Sequence, residues 1–288
     1  MVADYKEKFI AFIDVLGFKN LVEASEAGTG LSVAEILTLR ELFDSPEHGM
    51  LKECGPVCCP ISECIDRDLD FRLSQVSDCA VISTEISPAG AINLVYFCHG
   101  IVVRFLQRGI MCRGYITRGP IHHPAGEFPI GTGYHKALSG EARVTIFRSE
   151  ADERGTPFVE IDRVVRDYIQ ESGDSCLKEM FLRMTKSAGD SVALFPFQRL
   201  EHSFMIGGFG SEFDAEKEKV SNNNMRRMLG AFKDRVMSYV NPSNLDAVRK
   251  AQHYIDAYNN QLAICDRTDD LIDMLSYPIG TKDRQRRD

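Results

Sequence analysis

Phe9-Ile10-Ala11-Phe12-Ile13-Asp14-Val15-Leu16-Gly17-Phe18 is an apolar run that ends in one carboxylate and then a glycine turn. Its short length and its aromatic and β-branched content mark Lys8 to Ile13 as a buried strand. A carboxylate at the tip of such a strand is costly to bury unless something neutralises it. Taken alone, Asp14 reads as readily as a metal ligand as it does as an N-cap of a helix starting near Phe18 or a turn residue. A second acid changes the balance. Leu69 to Val76 and Cys79 to Thr84 form a hairpin with Ser77-Asp78 at its turn. Asp78 alone is ordinary turn chemistry, but a β-α-β-β order brings it within bridging distance of Asp14. Magnesium or manganese, which need few protein ligands, suit such a pair. Two cations about 3.5–4 Å apart clamp an in-line displacement at phosphorus.

The turn after Asp14 adds a second element. A glycine turn into a helix exposes backbone N–H groups at the favourable end of the helix dipole, which cradles a polyphosphate. Leu16, Gly17 and Phe18 are the candidate phosphate contacts, and the Val15 carbonyl is a candidate metal ligand beside Asp14 and Asp78. Lys19 either meets the terminal phosphates or is a solvated helix lysine.

The remaining elements follow from local signals. Phe18 to Phe43 is helical, and residues 45–68, rich in Gly, Pro and Cys, form an insertion. Ser87-Pro88 opens a helix with an N-cap and a first-turn proline. That helix keeps Leu94, Cys98, Ile101, Val102 and Phe105 on one face and ends at Gly109. Ile110 to Ile116 is a strand leading to Thr117-Arg118-Gly119-Pro120, and Gly131 to Glu141 is a short helix. Pro157 to Ile161 is a further strand, and Val192 to Phe197 an edge strand. Helices cover Arg163 to Gln170, Ala215 to Val240 and Ser243 to Leu262. The expected fold is α+β: a mostly antiparallel sheet with flanking helices over residues 1–160, and a helical extension over 161–288 packed on it.

Bulk properties exclude some classes. A formal charge of −8 argues against a nucleic-acid surface, which needs clustered positive charge. The basic tail from Lys282 to Arg287 reads as a solvated end. No apolar run of membrane-spanning length and no signal peptide stand out, so a cytoplasmic protein is expected. Nine cysteines, scattered through apparent core elements, suit a reducing compartment. Cys54, Cys58, Cys59 and Cys64 lack the paired spacing of a structural zinc site; a loop of free thiols is the alternative to a metal knuckle. The glycines from Gly207 to Gly210 are not a dinucleotide fingerprint, lacking a strand–helix unit around them. Asn222-Asn223-Asn224 reads as a polar helix surface, and His122 and His123 as loop residues.

Phe12-Ile13-Asp14-Val15-Leu16-Gly17-Phe18 resembles the first metal motif of class III nucleotidyl cyclases, and Val76-Ser77-Asp78-Cys79-Ala80 their second. Arg113-Gly114-Tyr115-Ile116-Thr117-Arg118-Gly119-Pro120 resembles their strand after the central helix. Gly131-Thr132-Gly133-Tyr134-His135-Lys136-Ala137 falls where they carry Gly-x-x-x-Asn-x-Ala. There are departures. Purine cyclases place a base-reading lysine four residues before the second aspartate, where this chain has Ser74, and their transition-state Asn and Arg correspond to His135 and Ser139. The opening strand, the Arg113–Gly119 strand and the helix around Lys250 to Asn259 look like the pyrimidine cyclases of bacterial Pycsar anti-phage systems.

That resemblance implies a homodimer with composite sites and two divalent cations, Mn2+ or Mg2+. It implies turnover of UTP, less readily CTP, to cyclic UMP or cyclic CMP, a messenger for an effector protein. Arg72, Ser74, Arg113, Tyr134 and His135 are the candidate base and ribose contacts. Strand alternation turns Arg113 and Arg118 to opposite faces, so at most one lines the site. A purine cyclase and a degenerate, non-catalytic nucleotide sensor are the rival readings; no Gly-Gly-Asp-Glu-Phe-like hairpin supports a diguanylate cyclase.

Overall fold

The structure is a computed structural model, and it describes residues 5–44, 69–150, 152, 155–197 and 213–276. The Cys54–Cys64 cluster, the Gly207–Gly210 stretch and the basic tail lie outside these residues. Seven strands, β1 (Lys6–Val15), β2 (Arg72–Val76), β3 (Cys79–Glu85), β4 (Cys112–Ile121), β5 (Val159–Ile161), β6 (Thr185–Ala188) and β7 (Ser191–Leu194), form one sheet. Their order is β2-β3-β1-β4-β5-β7-β6. Every pairing is antiparallel except β4 with β5. The helices are α1 (Phe18–Glu26), α2 (Val33–Arg40), α3 (Pro88–Gln107), α4 (Thr132–Glu141), α5 (Arg163–Glu171), α6 (Ser175–Met184), α7 (Ala215–Tyr239) and α8 (Leu245–Ser276). The chain is therefore α+β, with a mainly antiparallel sheet and flanking helices.

β1 is central and buried on both faces, which explains its unbroken apolar run. Alternation sends Phe9, Ala11, Ile13 and Val15 into the main core and Ile10 and Phe12 into a smaller one on the other face. The main core is built around α3. Ser87 caps that helix by accepting the Gly90 N–H at 2.9 Å, as its sequence predicts. Its burial runs well beyond the expected stripe: Ala91, Ile92, Val95, Phe97 and Leu106 are buried as well. The cause is that α5, α6 and α7 pack on α3 in addition to β1 and β3. This corrects one expectation: Pro88–Gln107 is long and apolar enough to cross a membrane, and its apolarity is accounted for by burial within the core.

Four further expectations are revised. The stretch from Phe18 to Phe43 is two helices, because residues 27–32 make a turn and Ser32 starts α2 with a capping box on Glu35. Thr117 to Pro120 belong to β4, which pairs with β1 through Ile121. The segment around Val192 is interior, since the polar β6 shields it as the edge strand; the sheet thus continues past residue 160. Cys176 is disulfide-bonded, whereas Cys79, Cys98, Cys112 and Cys265 are free thiols.

α7 and α8 pair as a long hairpin, and α8 is tied to the sheet region through Tyr254, whose hydroxyl donates to the Pro157 carbonyl at 2.7 Å. His253 meets Asp152 at 3.0 Å. Asn222 is buried, not on the surface: its amide donates to the Cys265 carbonyl and to Asp269, at 2.8 and 2.7 Å.

The smaller core needs a close approach. α4 lies against β1 and β4, and a Cβ on Gly133 would stand 2.5 Å from Ile10 Cδ1 and 2.9 Å from the Gly119 carbonyl carbon. Backbone cannot yield as a side-chain end does. Gly133→Ala is therefore expected to destabilise the chain by about 1–3 kcal/mol, read as a lower midpoint in urea. An unchanged midpoint would show that α4 is free to lift from the sheet.

Candidate functional site

β1, β3 and β4 place three candidate side chains in one row. Asp14 is directly opposite Cys79 on β3 and Arg113 on β4, and alternation puts all three on the α4 side of the sheet. Asp78 sits in the β2–β3 turn, which Ser77 makes possible with φ at 54°. The Val15 N–H donates to the Asp78 carbonyl at 3.1 Å and so fixes that turn to the end of β1. Asp14, Asp78 and Cys79 each present a ligand atom within 4.8 Å of the others.

The electrostatics of this cluster are unbalanced. Glu141, at the end of α4 and 6% exposed, forms a close ion pair with Arg113 through the guanidinium Nε. Three carboxylates thus face one guanidinium. Burial, then the charges of Glu141 and Asp78, push the Asp14 carboxyl up to about 7, against a smaller opposing pull from Arg113 and a Cys79 hydrogen bond. Burial and the same acids raise the Cys79 thiol to about 12. A carboxylate that holds its proton for want of positive charge fits a hard divalent cation. Asp14 and Asp78 would hold it, and Cys79 stands beside them.

Gly17 follows at φ 78°, a left-handed conformation suited to glycine, and is the N-cap of α1. The Leu16 N–H is used by the Met111 carbonyl at 2.9 Å. The amides of Gly17, Phe18 and Lys19 begin the helix and have no carbonyl of an earlier turn to meet. The Phe18 side chain packs against the main core. The Lys19 side chain is 85% exposed and lies 3.5 Å from Glu23.

The candidate base contacts divide. Arg72 and Ser74 share the Asp14 face, but on β2: Ser74 opposes Val81, which opposes Phe12. Two strand spacings and two residues of rise put it about 12 Å from Asp14. Arg72 pairs with Asp70 at 3.0 Å, beside the buried Lys8, whose ammonium is 2.8 Å from the same carboxylate. The Ser74 hydroxyl donates to the Glu127 carbonyl at 2.8 Å. It therefore accepts the His123 Nε2–H at 2.9 Å, leaving His123 Nδ1 to accept from Ser83 at 2.8 Å. Burial, then the Lys8 and Arg72 charges, pull His123 down to about 4, in keeping with a neutral ring. His123 is thus a loop residue, as its sequence predicts, but a buried one that links β2 and β3. Tyr134 packs edge-on to Phe128 and tilted to Phe12, at 5.6 and 6.4 Å between ring centres, and His135 is exposed beside it. Arg118 turns away from Arg113, as alternation requires, and meets Glu7 at 3.4 Å.

No protein-family model matches this chain, and no curated protein does. Among solved structures, two of a bacterial light-regulated adenylyl cyclase are similar, at 14% and 12% identity and TM-scores of 0.40 and 0.38. Each alignment covers 67% of this chain and 52% of the other, so the chain spans about half the length of those proteins.

Sequence reasoning missed Cys79, Glu141 and His123. Cys79 follows Asp78 directly, but its place opposite Asp14 comes from the non-local ladder of β1 with β3 and is not written locally. Glu141 and His123 act across the fold and carry no local signal.

The raised Asp14 carboxyl has a sign that can be checked. Between its unfolded value of 3.8 and about 7, the folded chain binds a proton that the unfolded chain has released. Stability of the metal-free protein therefore falls as pH rises through that window. From pH 5 to 8, wild type should lose up to about 3 kcal/mol relative to Asp14→Asn, measured by urea unfolding in chelator. Parallel pH profiles for the two proteins would contradict the charge imbalance.

Proposed function

We propose that this chain is a nucleotidyl cyclase of the class III type, acting on a pyrimidine nucleoside triphosphate, UTP ahead of CTP. The product is the 3′,5′-cyclic monophosphate and the by-product pyrophosphate. The observation that carries the reading is the convergence of Asp14 and Asp78, from adjacent strand ends, beside Arg113 and the glycine turn that opens α1. Asp14 and Asp78 would hold divalent cations, whose chemistry would be to activate the ribose hydroxyl and offset the triphosphate charge. The chain's own work is placement. The α1 amides receive the outer phosphates with the helix dipole behind them. Arg113, opposite Asp14 in the β1–β4 ladder, adds a positive charge near the phosphates. Fixed dipoles and charges of this kind stabilise the developing charge without reorganising.

The pyrimidine preference rests on motif resemblance together with Ser74. At the position where purine cyclases carry a lysine, this chain has a hydroxyl already engaged by His123 and Glu127. A homodimer with shared sites is supported by exposed apolar residues on and around the Asp14 face: Val76, Phe128, Ile130 and Leu138, each 37–49% exposed. We further read the cyclic nucleotide as a messenger to an effector, in the manner of the anti-phage cyclases the sequence resembles.

A purine cyclase would share the whole Asp14–Asp78 arrangement, so a panel of the four nucleoside triphosphates with Mn2+ separates the two. The pyrimidine triphosphates should yield cyclic monophosphate and the purine ones little. Asp14→Ala and Asp78→Ala should each reduce the rate at least about a hundredfold, by chromatography of product. Full activity in either variant would sink the cation-holding role, and nucleotide binding without product under any divalent cation would leave a non-catalytic sensor.

A further inference from the structure

Cys79 is the member of the acidic cluster that a magnesium site does not need. It is a free thiol, directly opposite Asp14 in the β1–β3 ladder and next to Asp78 in the chain. The thiol donates to the Asp14 carboxylate, so its sulfur is turned to the acid. One ligand atom from each of Asp14, Asp78 and Cys79 lies within 4.8 Å of the other two. All three residues are half-buried and keep part of their surface open to solvent. Glu141, the other acid acting on Asp14, is committed to Arg113. The donor set offered here is therefore two carboxylates and one sulfur.

A mixed set of this kind sorts cations. Mg2+ demands near-octahedral oxygen ligands and gains nothing from sulfur. Zn2+ and Cd2+ accept carboxylate and thiolate together, and Zn2+ stands above Mn2+ in affinity for a shared donor set. A tetrahedral Zn2+, with bonds of about 2.3 Å to sulfur and about 2.0 Å to oxygen, draws such ligands to roughly 3.5 Å apart. The three ligand atoms are close enough to reach that spacing by side-chain rotation, with the strand ladder unmoved.

We propose that Cys79 makes the Asp14–Asp78 pair a three-ligand site for thiophilic divalent cations, so that Zn2+ or Cd2+ excludes Mn2+ and Mg2+ from the nucleotide site. This rests on Asp14 and Asp78 being cation ligands, as read above, and does not require turnover. On binding, the Cys79 S–H bond breaks, a sulfur–metal bond forms and the proton leaves to solvent; no electron changes hands. Inhibition by traces of zinc follows from the ligand set alone.

The test titrates Cd2+ into the Mn2+-loaded full chain, for wild type, Cys79→Ser and Asp78→Asn. Bound Mn2+ is read by electron paramagnetic resonance, and sulfur ligation by the ultraviolet charge-transfer band of thiolate and Cd2+. In wild type the band should grow in step with release of Mn2+. Thiols elsewhere in the chain add a background that releases no Mn2+. Cys79→Ser should raise the Cd2+ needed to displace Mn2+ at least about tenfold, the lower end of what loss of even an outer-shell partner costs a metal site. Asp78→Asn should weaken Mn2+ and lose the coupled part of the band. A Cys79→Ser protein from which Cd2+ displaces Mn2+ as readily as from wild type would overturn the proposal. If that variant does not fold, wild type still decides: Cd2+ that binds sulfur without releasing Mn2+, or releases Mn2+ without binding sulfur, overturns it as well. Wild type that binds no Mn2+ before any Cd2+ is added would instead remove the cation reading of Asp14 and Asp78, on which this proposal stands.

Discussion

A carboxylate at the inner end of a strand buried on both faces needs a counter-charge, and much of the arrangement around β1 is organised by that need. Register with β3 and β4 surrounds Asp14 with Cys79 and Arg113. The β2–β3 turn adds Asp78, and α4 adds Glu141. Adding acids to a buried acid is the wrong way to satisfy it. The one guanidinium present is already engaged by Glu141. On the function proposed above, the cluster suits divalent cations that arrive with a ligand.

The opposite end of the same sheet face is satisfied internally. Lys8 is buried, yet it shares Asp70 with Arg72, and Lys6 stands 3.9 Å away. His123 is held between two serines. One face therefore has a closed polar network at one end and an acidic cluster with unmet charge at the other. Buried polar groups whose hydrogen bonds are complete belong to the scaffold, whereas those lacking counter-charge point to ligand chemistry. By that criterion Asp14 and Asp78 are the proposed site, and Lys8 and Asp70 belong to its frame.

What could be read from sequence was whatever is written locally. β1 announced itself by an apolar run, the β2–β3 hairpin by its Ser-Asp turn, and α3 by Ser87-Pro88 and a helical apolar period. β6 escaped because Lys186 and Ser187 lie on an exposed edge, where a strand needs no apolar alternation. The break between α1 and α2 escaped because apolar residues on both sides continue a helical rhythm. Asp14 and Asp78 could be paired in advance because a β-α-β-β order sets the tip of the first strand beside the turn of the later hairpin. Arg113 and Glu141 could not, since their meeting depends on how α4 settles on β4. The burial of His123 escaped for a related reason: its loop is fastened to β2 and β3 by side chains, which no local pattern encodes.

The strand order has a consequence in time as well as in space. β1 is synthesised first among the strands, yet it occupies the middle of the sheet, between partners that come later. Its longest ladder, with β4, joins residues separated by roughly a hundred positions, a span whose closure entropy must be met before any of its contacts can reward it. Until then an apolar strand with two open edges is exposed on the growing chain, the kind of segment that pairs with the wrong neighbour. The strand that carries the key aspartate is also where the polypeptide is most vulnerable to misassociation as it emerges, so chaperone demand and yield at high expression should be governed by β1.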